Sequence, residues 1–157
     1  MKKIIVYVIV FLCLITSCKG FSNEFFEMLL NTQNVGVDLK YSNKSLFDFE
    51  GITFEVYEIQ DSNSIIKNIT NVVLSDTRYN RYNDFKWTIC DKDVPNDLNE
   101  FIAGLEDIDC KEKSLFLNEI KERSFYYTIL TDYLKQERLF VLSRKTPRIY
   151  YVSKYEL

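Results

Sequence analysis

The stretch SFYYTILTDYLKQERLFVLSRKTPRIYYVS, residues 124–153, decides the fold. It contains three segments rich in β-branched and aromatic side chains, separated by two short polar segments. This spacing predicts strands over 124–133, 138–143 and 149–153 that pair in chain order as an antiparallel meander. In the middle strand, apolar residues occupy both sets of alternating positions. We therefore expect the middle strand to be central in the sheet and covered.

Upstream of this stretch, the apolar pattern changes several times between strand and helix periodicity. Alternation predicts strands over 35–41, 52–59 and 85–90. Helical spacing predicts helices over 22–32, 61–73 and 95–106, whereas residues 115–123 are ambiguous. The predicted class is α+β, an antiparallel sheet with a C-terminal three-stranded meander and two to three helices packed on one face.

The composition is typical of one folded domain and lacks the residues that most enzyme sites need. The chain has 12 Phe, 11 Tyr and one Trp, but only four Gly and two Pro, which argues against disorder. Histidine is absent, which excludes Ser-His-Asp and Cys-His triads and histidine metal sites. No Gly-rich phosphate loop occurs. We therefore expect a protein that is not an enzyme and needs no cofactor or metal.

The first residues have the pattern of a secretory signal. Lys2 and Lys3 precede an uninterrupted apolar run over 4–15. As a helix this run would rise about 18 Å, well short of the ~30 Å hydrocarbon core of a bilayer. The segment Ile15-Thr16-Ser17-Cys18, which ends the run, resembles the lipobox of bacterial lipoproteins. The resemblance covers residues 1–18 and implies cleavage before Cys18, a diacylglyceryl group on its thiol and acylation of its amine.

A lipidated N-terminus sets the expected domain organisation and location. Residues 1–17 are the lipoprotein signal peptide, and residues 18–157 form a single mature α+β domain. Several acyl chains, palmitate among them, would anchor this domain permanently to a membrane of the bacterial cell envelope. Lys19 is not acidic, so the inner-membrane retention signal of some enteric bacteria is absent. This favours the outer membrane. The sequence does not distinguish between the periplasmic and the surface face of that membrane.

Two cysteines remain after Cys13 leaves with the signal and Cys18 takes lipid. In an oxidising envelope compartment, Cys90 and Cys110 are most simply one disulfide. The bond would close a loop of about 20 residues and stabilise the fold by roughly 3 kcal/mol. The two cysteines are too far apart in sequence for a Cys-x-x-Cys redox motif.

Charge is distributed unevenly along the chain. The whole chain has a net charge of −3, and loss of Lys2 and Lys3 makes it −5, which argues against nucleic-acid binding. Residues 91–109 have seven carboxylates and a single lysine, whereas residues 111–157 have a net charge of +4. The acidic stretch is a solvated helix with acidic ends, a calcium site or a docking surface for a basic partner. Alternatively, the acidic and basic regions neutralise each other within the fold.

The polar, aromatic segment RYNRYN, residues 78–83, is a second candidate contact surface. Tyrosine and arginine are the side chains most often found at protein–protein hot spots. An exposed loop here would place Tyr79, Arg81 and Tyr82 against a partner. Alternatively, the tyrosines fold back onto the core.

Together these features predict a membrane-anchored envelope lipoprotein that binds another protein. Its concrete form is an immunity or inhibitor protein that neutralises a periplasm-acting toxin or lytic enzyme. Two alternatives remain open: an accessory subunit of an envelope assembly, secretion or surface complex, and a small-ligand carrier. The predicted partner-binding residues are Tyr79, Arg81, Tyr82, Asp97, Glu100 and Glu106.

Overall fold

The computed structural model describes residues 20–43, 51–60, 65, 69, 86–132 and 134–155. Within these ranges it contains three helices and six strands, which confirms the predicted α+β class. The helices are α1 (Asn23–Leu30), α2 (Asn96–Ala103) and α3 (Lys111–Glu122). The strands are β1 (Val37–Ser42), β2 (Gly51–Ile59), β3 (Thr88–Cys90), β4 (Phe125–Thr131), β5 (Glu137–Ser143) and β6 (Arg148–Tyr155).

The strands form one antiparallel sheet in the order β1-β2-β6-β5-β4-β3. The C-terminal strands β4, β5 and β6 are neighbours in chain order, as the sequence predicts. The N-terminal hairpin of β1 and β2 joins this meander at β6, where Phe54 lies opposite Val152. Strand β5 is therefore central together with β6, which confirms the expectation drawn from its two apolar faces.

Helices cover both faces of the sheet, so the expectation that they all pack on one face is wrong. Along β5 and β6, Phe140 and Tyr151 belong to the cluster that contains α1. Their neighbours Val141 and Tyr150 belong to a second cluster that contains residues of α2 and α3. We call these sides the α1 face and the α2–α3 face. Central strands that carry apolar residues on both of their faces need to be covered on both sides, which explains why helices pack on both faces of the sheet.

Helix α1 has sequence signals at both ends and a defined connection to the sheet. Ser22 caps its start, since the side-chain oxygen accepts a hydrogen bond from the Phe25 N–H at 3.3 Å. Asn31 ends the helix in the left-handed conformation that favours Asn and Gly. The Trp87 indole N–H donates to the Leu29 carbonyl at 2.8 Å, which ties the end of α1 to the start of β3.

The second half of the chain differs from the predicted boundaries. Helix α2 ends at Ala103 rather than near Glu106, and Pro95 is its N-cap rather than its first helical residue. At Gly104 a Cβ would lie 1.7 Å from the Ile52 side chain, so a glycine lets the chain end the helix against β2. The ambiguous segment 115–123 belongs to α3 and its C-cap. The helix predicted over 61–73 lies outside the described residues except at Ile65 and Ile69, which are buried on the α1 face.

Candidate functional site

The acidic residues of the stretch 91–109 are all exposed on the surface of the domain. They follow β3, line the outer side of α2 and continue into the turn before α3. We call this set the acidic surface; its members are Asp91, Asp93, Asp97, Glu100, Glu106, Asp107 and Asp109.

The basic C-terminal region makes few close ion pairs with this surface among the described residues. Within the described part of the chain, Asp93 is its only member in a salt bridge, with Arg123 at 3.6 Å. Lys113 instead donates to the carbonyl oxygens of Leu105 and Glu106, both at 3.2 Å, and so stabilises the turn after α2. Among the described residues, close ion pairing between the two regions is thus limited to Asp93 and Arg123, although Lys113 and Lys154 also lie beside the acidic surface.

Helix geometry brings two of the predicted site residues together. Asp97 and Glu100 are three residues apart on α2 and are both exposed, whereas Leu98 and Phe101 of the same helix are buried. Glu106 lies in the turn beyond Gly104, so it belongs to the acidic surface but not to the helix. The packing of α2 against the sheet thus fixes which of its side chains point outward.

A cleft of about 540 Å³ opens beside Glu100, and sequence reasoning missed it. Phe101, Leu134 and Lys154 contribute to its lining. Leu134 is 60% exposed, and the Lys154 ammonium lies 5.7 Å from the centre of the Phe101 ring. The feature of the sequence that could have indicated this cleft is a single leucine within the otherwise polar turn 134–137. The cleft places an exposed apolar side chain next to the acidic surface.

The turn that carries Leu134 is held in place by a buried carboxylate. The Asp132 side chain accepts hydrogen bonds from the Leu134 N–H at 2.9 Å and the Gln136 N–H at 3.0 Å. The Arg138 guanidinium donates to the other oxygen of the same carboxylate at 3.1 Å. Leu134 is consequently presented outward by an ordered backbone, a state that lowers the entropic cost of binding.

The two predicted disulfide cysteines are free thiols in the structure. Both pack in the cluster of the α2–α3 face. Burial raises the pKa of the Cys90 thiol; the charge of Arg123 lowers it, and the charges of Asp91 and Asp93 raise it again. The Cys110 sulfur caps α3 by accepting a hydrogen bond from the Lys113 N–H at 3.3 Å. A bond between Cys90 and Cys110 stays a prediction from the sequence.

Two partly buried tyrosines lie near these thiols. Burial, followed by a hydrogen bond with Cys110, raises the pKa of Tyr41 to about 12. Burial likewise raises the pKa of Tyr127, and the nearby Cys90 adds to the effect. At neutral pH these hydroxyls are therefore uncharged.

The remaining predicted site residues, Cys18, Tyr79, Arg81 and Tyr82, lie outside the described residues. Lipidation and the aromatic contact loop therefore stay predictions. Among the residues that are described, no group of three or more Cys, Asp or Glu side chains is arranged to hold a metal ion. Over the same residues, the structure contains no helix with the length and hydrophobicity needed to span a membrane.

Comparisons with known proteins add nothing to this geometry. No protein-family model matches the chain, and neither a curated protein nor a solved structure matches it.

Proposed function

We propose that this protein is a lipid-anchored lipoprotein of the bacterial envelope that captures a basic partner protein through its acidic surface. In its most concrete form it is an immunity or inhibitor protein that neutralises a periplasm-acting toxin or lytic enzyme. The observation that carries the proposal is the set of exposed carboxylates on residues 91–109. Only Asp93 among them has an ion-pair partner within the described residues.

The two parts of the site would contribute differently to binding. Unpaired charges of one sign attract an oppositely charged protein over several ångströms and raise its association rate. An exposed apolar side chain that enters a partner's pocket excludes water and slows dissociation. The carboxylates of α2 fit the first role, and Leu134 beside the cleft fits the second.

Fewer features of the structure support the two alternative functions, an accessory subunit and a small-ligand carrier. An accessory subunit would use the same acidic surface, so only the identity of the partner separates it from an immunity protein. A small-ligand carrier needs an enclosed pocket lined mainly by apolar groups. The cleft beside Glu100 is open, and charged side chains such as Lys135 and Glu137 contribute to its lining. The exposed carboxylates next to this cleft suit a basic protein partner better than a small apolar ligand.

Photo-crosslinking in intact cells tests where a partner binds. A crosslinking amino acid at Asn99, which is exposed on α2, should trap a basic protein. The same group at Asn23, exposed on α1, is the matched control and should not trap it. A partner trapped at Asn23 alone would contradict this placement of the surface. If the trapped protein is a toxin or lytic enzyme, immunity is supported; a component of an assembly complex supports the accessory role.

The kinetics of the purified pair test the mechanism. Replacing Asp97, Glu100 and Glu106 with Asn or Gln should slow association by about tenfold or more and flatten its salt dependence. Leu134→Ala should leave association unchanged and speed dissociation. Glu24→Gln, on the opposite face, should change neither rate. If neither the carboxylate replacements nor Leu134→Ala changes the affinity, the acidic surface is not the binding site.

Lipidation is tested independently of the partner. Cys18→Ser should abolish labelling by a fatty-acid analogue and leave uncleaved precursor or protein that is no longer held in the membrane fraction. Equal labelling of the wild type and the variant would disprove the anchor at Cys18.

A further inference from the structure

The chain becomes part of the folded core almost immediately after Cys18. The Phe21 N–H donates a hydrogen bond to the Tyr57 hydroxyl at 3.2 Å. The Phe21 ring lies 4.4 Å from the ring of Phe25, 4.8 Å from that of Tyr151 and 5.4 Å from that of Phe140. Residue 21 is thus held by α1 and by the two central strands at once.

Gly20, the preceding residue, also packs closely against Tyr57. A Cβ at Gly20 would lie 2.6 Å from the Tyr57 hydroxyl oxygen and 3.2 Å from a carbon of the same ring. Only glycine lets the backbone approach this side chain so closely. Residues 20 and 21 are therefore ordered on the α1 face rather than part of a flexible tether.

The point at which the chain docks is itself anchored in the sheet. The Tyr57 hydroxyl donates to the carboxylate of Glu55, which is only 5% exposed. The Ser42 hydroxyl donates to the other oxygen of that carboxylate at 3.1 Å. These contacts connect β1, β2 and the entering chain, so the position of residue 21 follows that of the sheet.

Only Lys19 separates Cys18 from the docked segment. Two residues in fully extended conformation span at most about 7 Å. We propose that the α1 face of the domain lies against the membrane that holds the Cys18 lipid, and that the acidic surface points away from that membrane. This inference rests on the proposed lipidation of Cys18.

The direction in which the acidic surface points follows from the order of the layers in the fold. The docked segment and α1 belong to one face of the sheet, whereas α2 belongs to the other. With about 10 Å between packed layers, the outer side of α2 would lie roughly 20 Å farther from the bilayer than Gly20. That distance exceeds the Debye length of about 8 Å at physiological salt, so anionic lipid headgroups would not repel the acidic surface. A basic partner would reach it from the aqueous side.

One exposed apolar side chain fits the membrane-facing side. Leu39 on β1 lies opposite Tyr57 in the register of the sheet, and such partners point to the same face. Leu39 is 41% exposed, beside the position where the chain enters from its lipid. A bilayer within a few ångströms of Gly20 would reduce the contact of this side chain with water.

Carboxyl footprinting of the full lipidated protein tests the orientation. The protein is reconstituted in vesicles of phosphatidylcholine and phosphatidylglycerol, and carboxylates are labelled with a carbodiimide and read by mass spectrometry. The comparison variant has about 20 Gly and Ser residues inserted between Lys19 and Gly20, which reach about 25 Å. Glu24, exposed on α1, should be labelled several-fold less in the wild type than in the insertion variant. Glu100 should be labelled equally in both.

The outcomes separate this inference from the proposed function. Protein that lacks the fatty-acid mass and washes off the vesicles disproves the anchor, and the orientation with it. Protein that carries the lipid but shows the same Glu24 labelling with and without the insertion overturns the orientation alone. Equal unfolding midpoints for the two forms confirm that the insertion leaves the fold intact.

Discussion

The two faces of the sheet are built from the same strands but differ in what covers them. On the α1 face, aromatic rings from α1, the central strands and residue 21 form a continuous cluster, which the entering chain closes. On the α2–α3 face, the core lies under two helices whose outer surface carries exposed carboxylates. Alternation along a strand thus lets one sheet hold residues 20 and 21 on one side and present charge on the other.

The largest expected effect tests whether both faces belong to one cooperative unit. Phe26→Ala on α1 and Phe116→Ala on α3 each remove a fully buried ring. Each should lower the free energy of unfolding by about 3–5 kcal/mol, since a cavity remains. Urea denaturation followed by Trp87 fluorescence measures both. A Phe116→Ala variant that leaves the Trp87 transition unmoved would show that the faces unfold separately.

Two buried tyrosines, one on each face of the sheet, allow the two faces to be compared through a single hydroxyl group. Tyr57 on the α1 face has hydrogen bonds to Glu55 and Phe21, whereas the buried Tyr150 hydroxyl on the other face lies near Arg148 and Thr146 but makes no hydrogen bond of good geometry within the described part of the chain. Tyr57→Phe should cost about 1–3 kcal/mol because it leaves a buried carboxylate short of a donor. Tyr150→Phe, the matched control, should change stability by less than about 0.5 kcal/mol. Equal losses in the two variants would contradict the hydrogen-bond assignment.

The same tyrosines predict a loss of stability at alkaline pH. Burial and the Glu55 carboxylate raise the pKa of Tyr57, and burial raises the pKa of Tyr150. Above the unfolded-state value of about 10, the unfolded chain loses these protons first, so stability falls as pH rises. Each group contributes up to about 1.4 kcal/mol per pH unit. In denaturation curves from pH 9 to 11.5, Tyr57→Phe should show a shallower decline than the wild type.

The cysteines give an effect of up to a few kcal/mol that depends on redox state. In the reduced protein, Cys90→Ser should cost about 1–3 kcal/mol because it buries a hydroxyl. Cys110→Ser should be neutral or slightly stabilising, because serine is a preferred N-cap for α3. In protein isolated under oxidising conditions from the proposed envelope compartment, the predicted disulfide would make the two losses similar. A thiol titration that finds two free groups in that protein would exclude the bond.

The smallest effect is expected on the acidic surface. Converting Glu100 and Glu106 to Gln relieves repulsion between exposed like charges, whereas Asp97→Asn removes a carboxylate that favours the start of α2. The combined change in unfolding free energy should stay within about 0.5 kcal/mol. Thermal unfolding of the triple variant against the wild type measures it. A loss above 2 kcal/mol would mean that these carboxylates support the fold rather than a partner.

Much of the architecture is readable from short stretches of sequence. The meander follows from three apolar segments and their polar turns, and the start of α1 follows from Ser22. Helix α3 was harder to predict because its buried side includes Glu119, a charged residue that breaks the apolar pattern. Its carboxylate accepts a hydrogen bond at 2.7 Å from Ser143, which lies 24 residues away. No local pattern shows that partner.

The sequence by itself determined the strand and helix periods, the class of the fold, and the concentration of acidic residues between 91 and 109, because each is a property of neighbouring residues in the chain. Only the tertiary structure decided that helices cover both faces, that Leu134 borders the acidic surface, and that residues 20 and 21 dock on Tyr57. These features join residues tens of positions apart. Their geometry depends on the closure and packing of the whole sheet, which local propensity does not encode.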